Sequence, residues 1–372
     1  MPIERMPKPE KFSRAGRTCL MLAALLLIGA AHHRAAAAAN PDCPGDVYRS
    51  AIYAAVNWRH ADAADLTRVD PAASDHDGFT PLHIAVLHSS DEQLIDELIA
   101  AGAAADAASN RGTTTLMSAA CAARSETIRK LLAHRVRVNA SNEDGFTALH
   151  YASMADNAEP ATILLAAGAD PNATSGNGIT PLHLAAAYCR LASLTALLDA
   201  GAPVDPADAN GRTALHEAAE KCPDRILEKL LVAGADSRAR TTDTGETLLH
   251  LVACNFETLP FVLTLNPHIN ATDDEGHSPL HKAAECSHKS IETLIEHGAD
   301  IEIATANSET ALHSAASVGN SKAVEKLLAA GASVDAVDSS GRRPIDRAWD
   351  GQNLRAYLYL LWAGIKTAVP FS

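Results

Sequence analysis

Apolar and polar positions along this chain repeat in a block that returns about every 33 residues. Each block opens on a polar, Gly-containing turn and a Thr or Ser. A short apolar run follows, and later an apolar pair with Gly three residues after it. The opening reads Gly78-Phe79-Thr80-Pro81-Leu82-His83-Ile84-Ala85, then Gly145-Phe146-Thr147-Ala148-Leu149-His150-Tyr151-Ala152, then Gly178-Ile179-Thr180-Pro181-Leu182-His183-Leu184-Ala185. The anchor position is Thr80, Thr114, Thr147, Thr180, Thr213, Thr247, Ser278, Thr310 and Arg343. The closing pair stands at Leu98-Ile99 before Gly102, at Leu164-Leu165 before Gly168 and at Leu197-Leu198 before Gly201, and recurs to Leu360-Leu361 before Gly364. Arg135 and Asn266 take the Gly place in two blocks.

This pattern predicts two short helices per block. The Thr or Ser hydroxyl can accept a hydrogen bond from a free N–H of the first helical turn. Pro81, Pro181 and Pro279 then fall at the first helical position, where a missing N–H is harmless. Leu82 and Ala85 share a face, and Ala keeps the layer thin. The Gly supplies a left-handed stop to the second helix, and Arg135 in its place costs about 1 kcal/mol. One block cannot bury both faces of its helices, so stability has to come from stacking.

At these residues the chain resembles the ankyrin repeat family, by period and by motif, from about Asp75 to Gly364. The resemblance implies an all-α ankyrin repeat solenoid of helix-turn-helix units with projecting β-turns, about ten units including atypical end units. Residues 40–72 would form a degenerate first unit, 73–340 eight regular units, and 341–372 a capping unit and tail. It also implies a protein that binds other proteins through its turn tips and a concave helix face. By motif position the partner-facing candidates are His76, Asp77, Phe79, Glu143, Asp144, Phe146, Asn177 and Ile179 at tips, with Leu87, His88, Met154 and Tyr188 on helix faces. Phe79, Phe146 and Ile179 occupy one tip position, which becomes Arg212, Glu246, His277, Glu309 and Arg342 later in the chain. A partner is therefore expected on the N-terminal half, unless these side chains pack between neighbouring turns.

The first residues add a location. Arg5, Lys8, Lys11, Arg14 and Arg17 precede an uncharged run from Thr18 to Ala31, and small residues follow to Ala39. A helix of that run spans only about 21 Å, short of a bilayer. Residues 1–39 read as a cleavable signal peptide, with an uncleaved anchor as the alternative. The processed chain is expected in the periplasm, or alternatively secreted, with no membrane attachment. The net charge of −14 argues against a nucleic-acid partner, which needs a basic face.

Chemistry changes the picture little. Seven of the 17 His are the repeat His, from His83 to His313, and in this family that side chain bonds to loop backbone. Met117 and Asp346 replace it in two units. Layers about 10 Å apart keep such His from sharing a metal. No nucleophile elbow, zinc-protease motif or phosphate-cradling loop stands out, so no cofactor, no metal and no catalytic residue are expected. A monomeric, non-catalytic scaffold is the leading reading. A secreted effector that binds a host protein and an enzyme are the alternatives.

Cys189, Cys222, Cys254 and Cys286 each lie 12 residues before the Gly or Asn stop, a column in four consecutive units. An oxidising compartment favours bridges. Cys189–Cys222 with Cys254–Cys286 would use all four, a single Cys222–Cys254 bridge would leave the ends free, and a ladder of thiols is the third possibility. Ideal stacking sets them too far apart, so bridging requires the inter-helix turns to lean together. Cys43 and Cys121 align with nothing in the column.

Overall fold

The computed structural model describes residues 70–88, 92–155, 157–222 and 224–368. The expected signal peptide and most of the degenerate first unit lie outside them. Among the described residues there are nine helix pairs and only isolated β-bridges in place of strands. They fall into two compact units, which divide after Ala173.

The first unit holds α1 (Pro81–His88), α2 (Glu92–Ala100), α3 (Thr115–Cys121), α4 (Ser125–Ala133), α5 (Ala148–Ser153) and α6 (Glu159–Ala166). The odd-numbered helices stack on one another and the even-numbered ones stack behind them. Leu82, Leu116 and Leu149 fill the inner layer, and Leu98, Leu131 and Leu164 the outer one, each at most 1% exposed. Each such Leu contributes about 1.5–3 kcal/mol of burial. Ala85, Ala119, Ala120 and Ala152 are buried between consecutive first helices, where a larger side chain would hold the layers apart.

The second unit repeats the design with α7 (Pro181–Ala187), α8 (Leu191–Asp199), α9 (Ala214–Lys221), α10 (Asp224–Val232), α11 (Leu248–Val252), α12 (Leu259–Thr264), α13 (Pro279–Cys286), α14 (His288–Glu296), α15 (Ala311–Val318), α16 (Ser321–Ala329), α17 (Pro344–Asp350) and α18 (Leu354–Ala368). The anchor residues are N-caps in extended conformation, and Pro81, Pro181, Pro279 and Pro344 open their helices. Arg135 (φ 57°) and Asn266 (φ 52°) adopt the same left-handed stop as the glycines they replace.

Two kinds of glycine differ in what limits them. Gly298, a helix stop with φ +90°, has open space where a Cβ would stand. Gly276, at a turn tip with φ +86°, would bring that Cβ to 2.9 Å from the Ala306 backbone nitrogen. Gly298→Ala should therefore lose about 1 kcal/mol from the left-handed conformation alone. Gly276→Ala should lose about 2–3 kcal/mol, because the backbone of the next repeat must also move. Urea midpoints of the two variants check the order.

Candidate functional site: turn tips and first-helix faces

A latch built from the repeat His holds each tip to its helix. The Thr80 N–H donates to Nδ1 of His83 (3.2 Å), and the Thr80 hydroxyl lies 2.9 Å from the same nitrogen. An Nδ1 that accepts leaves the proton on Nε2. Nε2 donates to the carbonyl of Thr113, one repeat on, at 3.1 Å. The second unit repeats this from His183 to Arg212, His250 to His277, His281 to Glu309 and His313 to Arg342, at 2.9–3.1 Å. His216 reaches Ala239 instead, at 3.2 Å. These rings are buried, which pushes His83 and His281 down to about 4 and lowers His216, His250 and His313 in the same direction. Those five are neutral structural links, each turned to backbone. Where His is missing, Met117 Sδ accepts from the Thr114 N–H (3.4 Å) and Asp346 Oδ2 from the Arg343 N–H (2.9 Å).

Five residues before most anchors, and six before Thr247, sits a second device. Oδ1 of Asp75 accepts the amides of Asp77 and Phe79, at 3.0 and 2.8 Å. Asn142, Asp208, Asp273 and Asp338 do the same for their own turns, and Ser175 and Thr305 supply a hydroxyl there. The recurring offset of five from the anchor, broken only where Thr241 precedes Thr247 by six, was the sequence signal for this role. Asp273 and Asp338 are buried. Burial pushes their carboxyls up, but amide bonds from the turn and the neighbouring cations outweigh it, so both titrate below the usual range.

Successive tips are tied by backbone bonds. In the first unit Asn110 N–H donates to Asp77 O (2.8 Å) and Glu143 N–H to Arg111 O (3.0 Å). In the second unit Ala209, Thr242, Asp274, Ala306 and Ser339 donate to Asn177, Asn210, Thr244, Glu275 and Asn307 at 2.8–3.0 Å.

The structure sorts the partner-facing candidates. His76, Glu143, Asp144 and Asn177 are exposed, while Asp77, Leu87, Phe146, Ile179 and Tyr188 are half-buried. The His88 side chain lies outside the description. Two candidates are corrected by burial: Phe79 is 4% exposed and Met154 2%. Phe79 packs edge-on against His83 at 5.3 Å, Phe146 against His150 at 5.2 Å, and His277 against His281 at 5.7 Å. An aromatic ring at this tip position therefore covers the latch of its own repeat. In the second unit the charged residues there are engaged internally. Arg212 meets Glu217 (2.6 Å) and Glu220 (2.8 Å), Glu246 meets Lys282 (2.9 Å), Glu309 meets Arg347, and Arg342 meets Asp350 (2.5 Å). Asp75, His76 and Asp77 also bring three potential ligand atoms within 4.8 Å of one another. Asp75 Oδ1 is committed to its turn, and no ligand role is assigned to the group.

Two bridges cross adjacent repeats. Cys189–Cys222 and Cys254–Cys286 have Cα atoms 5.3 and 5.5 Å apart, so the inter-helix turns do lean together. Cys121 is buried and is itself in a disulfide. Cys43 lies outside the described residues. No helix among the described residues is long and apolar enough to cross a membrane.

Comparison with known proteins agrees with this geometry. Profiles described as ankyrin repeats (3 copies) match residues 82–175, 156–241 and 221–305, and one described as ankyrin repeats (many copies) matches 294–348. The chain belongs to the ankyrin repeat family. It is 36% identical over 121 residues to the tyrosine-protein kinase Shark of Drosophila melanogaster, covering 32% of this chain and 13% of that protein. It is 33% identical over 129 residues to the B-cell lymphoma 3 protein homolog of Mus musculus, covering 32% of this chain and 28% of that protein. The chain thus spans less than a third of either relative. The human ASB11 ankyrin repeat domain shares the fold, with TM-score 0.54 and 24% identity over 59% of this chain and 98% of that one. Ankyrin arrays of this kind are protein-interaction scaffolds, generally non-catalytic.

Proposed function

We propose that this chain is a non-catalytic scaffold of the periplasm that holds a protein partner bearing a basic surface. The observation that carries it is the first unit's row of tips. Their backbones are fixed by the bonds between Asp77, Asn110, Arg111 and Glu143, while acidic side chains face outward. A surface ordered before binding has little entropy left to lose. Arg111 meets Asp144 at 2.9 Å and Glu143 at 3.7 Å, yet the two carboxylates stay 54% and 63% exposed. Exposed pairs of this kind are worth at most about 1 kcal/mol, so a partner's cation can compete for them. The net charge of −14 steers such a partner inward. The basic, then apolar, then Ala-rich start of the sequence supports export.

The test is capture of partners by the tagged full chain from periplasmic extract, compared with Glu143→Lys/Asp144→Lys. The processed chain should be in that fraction, and the double variant should lose its partner at least tenfold while keeping its far-ultraviolet circular dichroism. A cytoplasmic, unprocessed chain, or capture unchanged by the variant, rejects the reading.

A further inference from the structure

The last helix of the second unit turns an apolar seam to solvent. Ala356 and Leu360 of α18 face inward, at 0% and 1% exposure. Leu354 (65%), Leu358 (53%), Leu361 (39%) and Ile365 (55%) face outward. Steps of four, three and four residues are the spacing of a heptad seam, one narrow stripe along the helix. Trp362 flanks the stripe at 58% exposed, and Trp349 of α17, at 67%, stands on Tyr357 with ring centroids 5.3 Å apart. A unit that only shields the end of a stack presents a polar outer face, and this one does not.

We propose that this seam is the interface of a homodimer, α18 pairing antiparallel with α18 of a second copy. The spacing reads the same from either end. A two-fold axis between Leu358 and Leu361 sets Leu354 opposite Ile365 of the partner subunit and Leu358 opposite Leu361 of the partner subunit. The four seam side chains and the two Trp beside them expose on the order of 700 Å² per chain in all, the most that pairing could cover, against roughly 800 Å² per partner in a stable interface. Arg355 is the only charged residue between Leu354 and Ile365, so the seam brings no row of like charges together. Antiparallel pairing leaves the two Arg355 residues about 13 Å apart along the axis, whereas parallel pairing gathers them at one end. A broader apolar face and a basic rim would suit lipid, and a chain of net charge −14 does not. This departs from the monomer expected from sequence and is independent of the tip-binding reading.

Sedimentation velocity of the full processed chain from about 1 to 100 μM tests it. A concentration-dependent dimer is expected. Leu358→Glu and Leu361→Lys should each weaken association at least tenfold with unchanged circular dichroism. Mixing the two variants should restore dimer, because the antiparallel axis sets one new charge against the other. A misfolded variant could not produce that rescue. A monomer at every concentration, a dimer indifferent to both substitutions, or a monomer that co-sediments with anionic phospholipid vesicles would overturn the proposal.

Discussion

Acidification from pH 7 towards pH 4 is expected to remove several kcal/mol of stability from this protein, most of it above the range in which its carboxylates protonate. The cause is the row of buried imidazoles. His83 and His281 are held down to about 4 by burial, against an ordinary value of 6.5. Above pH 6.5 neither the folded nor the unfolded chain protonates them, so stability is flat. Between pH 6.5 and 4 the unfolded chain takes up protons that the folded chain refuses, and stability falls as pH falls. Below about 4 the folded rings protonate too, and the loss from these two groups levels off. Each withholds a proton at a cost of about 3 kcal/mol by the lower limit of that window. His216, His250 and His313 shift in the same direction for the same reason. Asp273, Asp338 and Asp346 have lowered pKa values and contribute stability lost only as pH falls below the ordinary carboxylate range. The two causes therefore occupy separate windows. Urea midpoints at pH 7.5, 5.5 and 4.5 check the first one. A midpoint constant from 7.5 to 4.5 would mean that the rings are not the desolvated links their hydrogen bonds describe.

The same latch shows how far the sequence could be read. The anchor Thr, the helix-opening Pro and the glycine stop each depend on neighbours within a few residues. Local capping rules therefore placed them correctly, down to the left-handed Arg135 and Asn266. The capping role of Met117 and Asp346 was hidden because the residue type changes while the geometry persists. The candidate site was less legible. Motif position alone cannot tell a tip that faces solvent from one that folds onto its own latch, which is why Phe79 and Glu143 stood together in the sequence and stand apart in the structure. The exposed seam of α18 escaped because a heptad stripe reads as core until the burial of Ala356 and Leu360 shows which face is already used.

Removing the two inter-repeat bridges should destabilise the second unit by more than any single exposed substitution. Each bridge closes a loop one repeat long, 33 residues for Cys189–Cys222 and 32 for Cys254–Cys286. In the chain-entropy account a loop of that length is worth about 3–4 kcal/mol to the folded state. The location amplifies this. A stack is held by contacts between nearest neighbours, so each bridge pins two adjacent repeats that otherwise rely on one thin interface. Cys189→Ala/Cys222→Ala and Cys254→Ala/Cys286→Ala should each lower the urea midpoint, and the effects should nearly add because the pairs share no member. Access separates the bridges further. Cys254 and Cys286 are exposed, whereas Cys222 is 2% exposed. A mild reductant should therefore open Cys254–Cys286 first, and alkylation followed by peptide mass analysis should label that pair before Cys189 and Cys222. If all four thiols label without reductant, the column is a ladder of free thiols after all. If both bridges open together only on unfolding, exposure at the turn does not govern access, and the leaning turns must shield the sulfurs from reagents as well as join them.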